Sequence, residues 1–166
     1  MQLERLSKSD LLILVEYTMH KDADFAFRIK EMLTNDSSTE GIDRTFDRVI
    51  SRYSSDQNQL SKLEEDLSFI FGYILENLLV EGHTMKAILT SIQLYRRISE
   101  SFSAEAFPSF SQELLLVIRE GKSELLGANP LMLEHPMIVE EFKEELRLFK
   151  DDAPREVIEK IWLKNP

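Results

Sequence analysis

The chain has 166 residues and a mass of 19.4 kDa, enough for a single domain that buries roughly two-thirds of its unfolded surface without disulfides. An apolar share of 43% and a charged share of 30% place it with ordinary folded proteins rather than disordered or membrane-embedded ones. Thirty acidic against twenty basic side chains leave a net charge of -10, which argues against nucleic acid and anionic membranes as partners because both attract cationic surfaces.

No cysteine is present, which removes disulfide frameworks, thiolate zinc sites, iron–sulfur clusters and cysteine nucleophiles together. The longest apolar run near the start, residues 11–15, is shorter than the apolar region of a secretory signal, and Glu4 and Asp10 stand where positive charge belongs. No stretch approaches the roughly 20 apolar residues that span a bilayer. The expectation is a cytoplasmic protein.

Leucine occurs 24 times and valine six, a bias toward side chains that keep their rotamer freedom in helices. No alternating β-branched run closed by Asn-Gly or Asp-Gly is found, so no sheet is expected. Glycine and proline together number ten, and few turns are therefore written.

In chain order, a first helix is expected over residues 9–19, with Ser7 or Ser9 as N-cap and Asp10 in the first turn. Leu11, Leu12, Ile13, Leu14 and Val15 surround it, which predicts burial on most sides. A second helix follows from Asp22, with Phe25, Ala26, Ile29, Met32 and Leu33 on one stripe, and residues 35–41 read as a polar loop. The third places Ile42, Phe46, Val49, Ile50 and Tyr53 on one face. After a polar run at 54–59, the longest periodic stretch runs from Leu60 to Leu79 and predicts the central helix, with Gly82 as its C′ residue.

A fifth helix over 83–101 carries Met85, Ile88, Ile92, Tyr95 and Ile98. All five prolines lie after residue 107, so 1–107 reads as a proline-free bundle and 108–166 as proline-punctuated helices packing on it, within one domain. Ser109 and Gln112 resemble a capping box for the sixth helix, which Gly121 interrupts and Gly127 ends. Pro136 suits the first turn of a seventh, with Ile138, Phe142, Leu146 and Phe149 on its stripe, and Asp152 caps a last one carrying Val157, Ile158, Ile161 and Trp162. The fold class is all-α, a bundle of seven or eight helices.

Chemistry has few footholds. Glu16, His20, Asp22 and Asp24 lie within nine residues, but helix capping explains them better than a metal, and the paired Glu-x-x-His of di-iron bundles is missing. His83 and His135 read as boundary residues. No Gly-x-Ser-x-Gly, Gly-x-Gly-x-x-Gly or phosphate-loop pattern occurs. No catalytic residue or cofactor is assigned, and a non-enzymatic role is expected.

Three surfaces remain. Glu141, Glu145 and Asp152, at offsets of four and seven, form an acidic stripe suited to a basic partner. Arg96 and Arg97, the only adjacent arginines, lie in a segment, 83–128, whose five basic and five acidic groups cancel, and are candidates for an anion site. Ser68 and Gly72, four apart beside Phe69 and Tyr73, allow close approach of another backbone and suggest a subunit contact, hence a homodimer. The leading expectation is a protein–protein interaction module, such as an adaptor, inhibitor, immunity factor or chaperone-like partner. The alternative is a bundle that binds a small molecule or metal in its core, as sensor or enzyme.

Overall fold

Apolar residues recurring every three to four positions commit the chain to helices. The computed structural model, which describes residues 5–53, 59–102 and 106–164, is a helical bundle with eight α-helices and no strand among those residues. They are α1 (Lys8–Lys21), α2 (Ala23–Thr34), α3 (Thr39–Ser51), α4 (Leu60–Val80), α5 (Thr84–Ser101), α6 (Pro108–Ala128), α7 (Pro136–Arg147) and α8 (Asp152–Leu163), with a 3-10 turn at Met132–Glu134 before α7. Most of the polar run after Tyr53 lies outside the described residues.

Several boundaries follow the sequence closely. Ser7 and Asp10 form a reciprocal capping box at the start of α1. Gly82 adopts φ +80° just beyond α4, where the His83 N–H donates to Leu78 O at 2.8 Å and the Gly82 N–H to Leu79 O at 3.1 Å. That pair of bonds is a Schellman motif, and the left-handed backbone it needs costs glycine nothing. Pro136 opens α7, whose N-cap His135 accepts from the Met137 N–H through Nδ1 at 3.3 Å.

Other boundaries differ from expectation. Helix α3 starts inside the stretch expected to be loop, because Ser38 caps it by accepting from the Gly41 N–H at 2.9 Å. A Cβ at Gly41 would lie 1.9 Å from Asp36 Oδ1, so the Asp36 side chain would have to turn aside to admit one. Helix α6 begins at Pro108 with Phe107 at the N-cap, so Ser109 and Gln112 form no capping box. Nor does Gly121 interrupt that helix: it is buried, and a Cβ there would lie 2.8 Å from Ile88 Cγ1. Helix α6 runs through Gly127 to Ala128. Asp152 is the first residue of α8 and Asp151 its N-cap.

The core joins α3 to α8. Phe46, Phe71 and Phe110, from α3, α4 and α6, lie in a row with centroid spacings of 6.4 and 6.3 Å. Phe142 of α7 stacks on Trp162 of α8 at 4.2 Å. The central helix is α5 rather than α4: ten of its residues are buried, against eight in the longer α4, and it packs on α3, α4, α6, α7 and α8. The apolar pattern understates this because Thr84, Thr90, Ser91 and Gln93 are buried too. Ser91 satisfies its hydroxyl on Ala87 O at 2.9 Å and Gln93 donates to Thr39 O at 2.9 Å, so these two polar side chains are buried with their donors bonded.

Buried charge ties α2 to this core. Asp66 of α4 accepts from Arg28 of α2 and from the Tyr53 hydroxyl, and burial followed by the Asp66 contact pushes the Tyr53 phenol above the usual tyrosine range. Glu31 of α2, also buried, holds Arg48 of α3 at 2.8 Å.

Candidate functional site

Helix α1 is where the structure departs most from the sequence pattern: none of its residues is buried. Its single sizeable packing partner is α2. Asp22 closes one helix and opens the other, its N–H donating to Thr18 O and its carboxylate accepting from the Asp24 and Phe25 N–H groups at 2.9 and 3.0 Å. With no loop between them, α2 covers one side of α1. Val15, Thr18 and Met19 are partly covered, whereas Leu12, Ile13 and Tyr17 are 55%, 62% and 61% exposed. Four consecutive aliphatic residues, Leu11–Leu14 in sequence, spread over the whole helix circumference at 100° per residue, so one neighbour cannot bury them all.

The residues considered for a metal have other tasks. Asp22 is the cap just described, Asp24 pairs with Arg52, and Glu16 and His20 lie exposed on α1. Among the described residues no three His, Cys, Asp or Glu side chains gather as a metal would need.

On α4, Phe69 and Tyr73 are 43% and 37% exposed. Ser68 is half-buried, and a Cβ at Gly72 would meet nothing within 4 Å. Among the described residues, therefore, no neighbouring helix packs closely on Gly72. The Arg28 guanidinium lies 5.2 Å from the centroid of the Phe69 ring, a cation–π contact at the edge of this face.

Arg96 and Arg97 face carboxylates. Arg97 lies over the Phe46 ring and pairs with Asp43 at 3.4 Å and with Asp47. Arg96 pairs with Glu100 at 3.6 Å and stands near Glu145. Burial raises the Glu145 carboxyl above the ordinary glutamate range, Arg96 opposes this, and Asp43 adds to it. The two arginines thus present no bare cationic pair.

The acidic stripe is divided. Glu145 turns inward toward α5 while Glu141 stays exposed on α7. Asp152 lies beyond the break that follows Arg147 and belongs to α8. The arithmetic of four and seven holds only on a continuous helix, and this one stops between the second and third carboxylates. Glu140 and Glu144, which the stripe omitted, both pair with Arg147.

No helix among the described residues is long and apolar enough to cross a membrane. The fold and its surface define an all-α bundle with one apolar helix left largely uncovered. Compared with protein-family models, curated proteins and solved structures, the chain matches none.

Proposed function

We propose that the protein is a non-enzymatic, cytoplasmic module that binds another protein, and that α1 is the helix it docks. The observation that carries this reading is the exposure of Leu12, Ile13 and Tyr17 on a well-capped helix. A folded helix that shows large apolar side chains to water gains by entering a groove, and such helix-in-groove recognition uses anchors three or four residues apart, a spacing that Ile13 and Tyr17 have. Covering Leu12 and Ile13 is worth about 1–2 kcal/mol each, since complete burial of such a side chain is worth roughly 1.5–3 kcal/mol.

The partner carries an apolar groove with a basic rim. Residues 1–41 hold five basic and eight acidic groups, so a cationic surface would be drawn toward this end of the chain. The cytoplasmic location is part of the same reading and rests on the cysteine-free composition.

The test is a photo-crosslinking residue at Leu12 or Ile13, with a control at exposed Glu120 on α6. The expected result is one partner crosslinked from α1 and not from α6, whose purified form binds the chain with affinity that falls as salt rises. Ile13→Glu combined with Tyr17→Glu should abolish binding and leave the helical content unchanged. Binding that survives this double change, or a crosslink joining two copies of the chain, overturns the assignment.

A further inference from the structure

The net charge of -10 conceals one place where only cations meet. Between α6 and α8 lies a cleft of about 300 Å³, lined by Arg119, Lys122, Ser123 and Leu126 from α6 and by Lys160, Ile161 and Lys164 from the end of α8. Four of the twenty basic residues of the chain line it, and none of the thirty acidic ones does.

The cations there are uncompensated. Arg119, Lys160 and Lys164 make no ion pair among the described residues; this sets Arg119 apart from the eight arginines that have carboxylate partners, while no lysine there has one. Lys122 is buried. Its ammonium donates to Ile161 O at 3.2 Å and to Lys164 O, at the end of α8. Those carbonyls carry the negative end of the helix dipole and offset part of the Lys122 charge. Among the described residues these two carbonyls are the acceptors of an ammonium that has three donors. Burial without a counter-anion pushes the Lys122 amine below the usual lysine range. The other three charges remain exposed at the rim.

We infer that this cleft binds a small organic dianion, a phosphate monoester or a dicarboxylate, with Arg119, Lys160 and Lys164 neutralising it and Leu126 and Ile161 receiving its carbon portion. Arginine supplies a planar fork for two oxygens, and the lysines supply mobile point charges. Leu126 and Ile161 are half-buried between the helices, so the cleft has an apolar side beside its charged one, the usual make-up of a small-molecule site. Its volume lies at the small-molecule scale rather than that of a folded segment. This site is separate from α1 and does not depend on the proposed protein partner.

The experiment is a titration of the full chain followed by backbone amide NMR, with inorganic phosphate, phenyl phosphate and succinate as probes, each against sodium chloride at equal ionic strength. The expected result is saturable shifts at Ser123, Leu126, Lys160 and Ile161 with phenyl phosphate or succinate, and about tenfold weaker binding, equivalent to roughly 1.4 kcal/mol, in Arg119→Ala/Lys160→Ala. Both substituted side chains are exposed, and circular dichroism checks that the variant keeps its helices. Tighter binding of phenyl phosphate than succinate identifies the phosphate source, and the reverse order identifies the carboxylate. Shifts no larger than those from chloride, or centred away from α6 and α8, overturn the inference. So does undiminished binding in the double variant, or a response to an oligo-glutamate peptide alone.

Discussion

The Glu64 carboxylate accepts a hydrogen bond from the backbone N–H of Phe110 at 2.9 Å. Phe110 is the third residue of α6, so a side chain from α4 occupies the place that a local Ser or Thr cap would take, and Phe107 at the N-cap makes no side-chain bond of its own. The negative charge also suits the positive end of that helix.

Removing this contact should weaken the bundle. Glu64→Ala is expected to cost about 1 kcal/mol, the typical value of a lost N-cap. Glu64→Gln, which keeps an acceptor and loses the charge, should cost less. Thermal unfolding of both variants checks the order, and equal stability of Glu64→Ala and the natural protein would remove the tertiary cap from the account.

The same substitution should act in opposite directions at two glycines. At Gly121 a Cβ would stand 2.8 Å from Ile88 Cγ1, so Gly121→Ala must push α5 and α6 apart. Overpacking costs roughly 1–3 kcal/mol against a gain in helix propensity of about 1 kcal/mol, and the net change is a loss of up to about 2 kcal/mol.

At Gly72 nothing lies within 4 Å of the added methyl. Gly72→Ala should therefore stabilise the chain by about 0.5–1 kcal/mol through helix propensity alone. Urea unfolding at two protein concentrations reads both effects. Gly72→Ala that lowers stability, more so at high concentration, would mean that a second chain packs on this face.

Glu145 sets a pH dependence whose sign follows from linkage. Burial raises its carboxyl above the ordinary value of 4.5, so the folded chain binds this proton more tightly than the unfolded one. Its contribution to stability is complete below the unfolded value and is lost as pH rises through the higher folded value. Arg96 of α5 and Asp43 of α3 are the charged groups that act on it. Glu145→Gln should raise the melting temperature at pH 7, with the advantage shrinking as the pH is lowered toward 4. An advantage that stays constant with pH would assign the effect to packing instead.

Helix number and most of the buried stripes were legible because they depend on spacing. Ile42, Phe46 and Val49 are all fully buried, as their offsets require, and Ile158 lies inward from α8 as expected. The Ser7 cap, one of two serines the sequence offered, was legible for the same reason, whereas the equally local Ser38 cap fell inside a stretch expected to be loop. The cap on α6 was not, since Glu64 is 46 positions from Phe110 and nothing in either local pattern marks the pair. The charged surfaces were legible as composition only. Arg96 and Arg97 drew notice by adjacency, yet the helix period sends neighbouring residues about 100° apart, toward Glu100 in one case and Asp43 in the other.

Local spacing and composition thus determined an all-α chain with seven or eight helices, their approximate ends and most of the faces turned inward, because helix formation and capping act over a few residues. Tertiary packing decided which helix is central, which apolar helix stays exposed and where uncompensated charge collects. Helix α5 lies innermost because five helices surround it, and α1 remains at the surface because α2 is its main neighbour. Arg119 and Lys160 share a cleft because α6 and α8 pack together. Hydrophobic patterning says that a side chain gains by leaving water, while burial requires a neighbour to cover it, and that neighbour is supplied by distant parts of the chain.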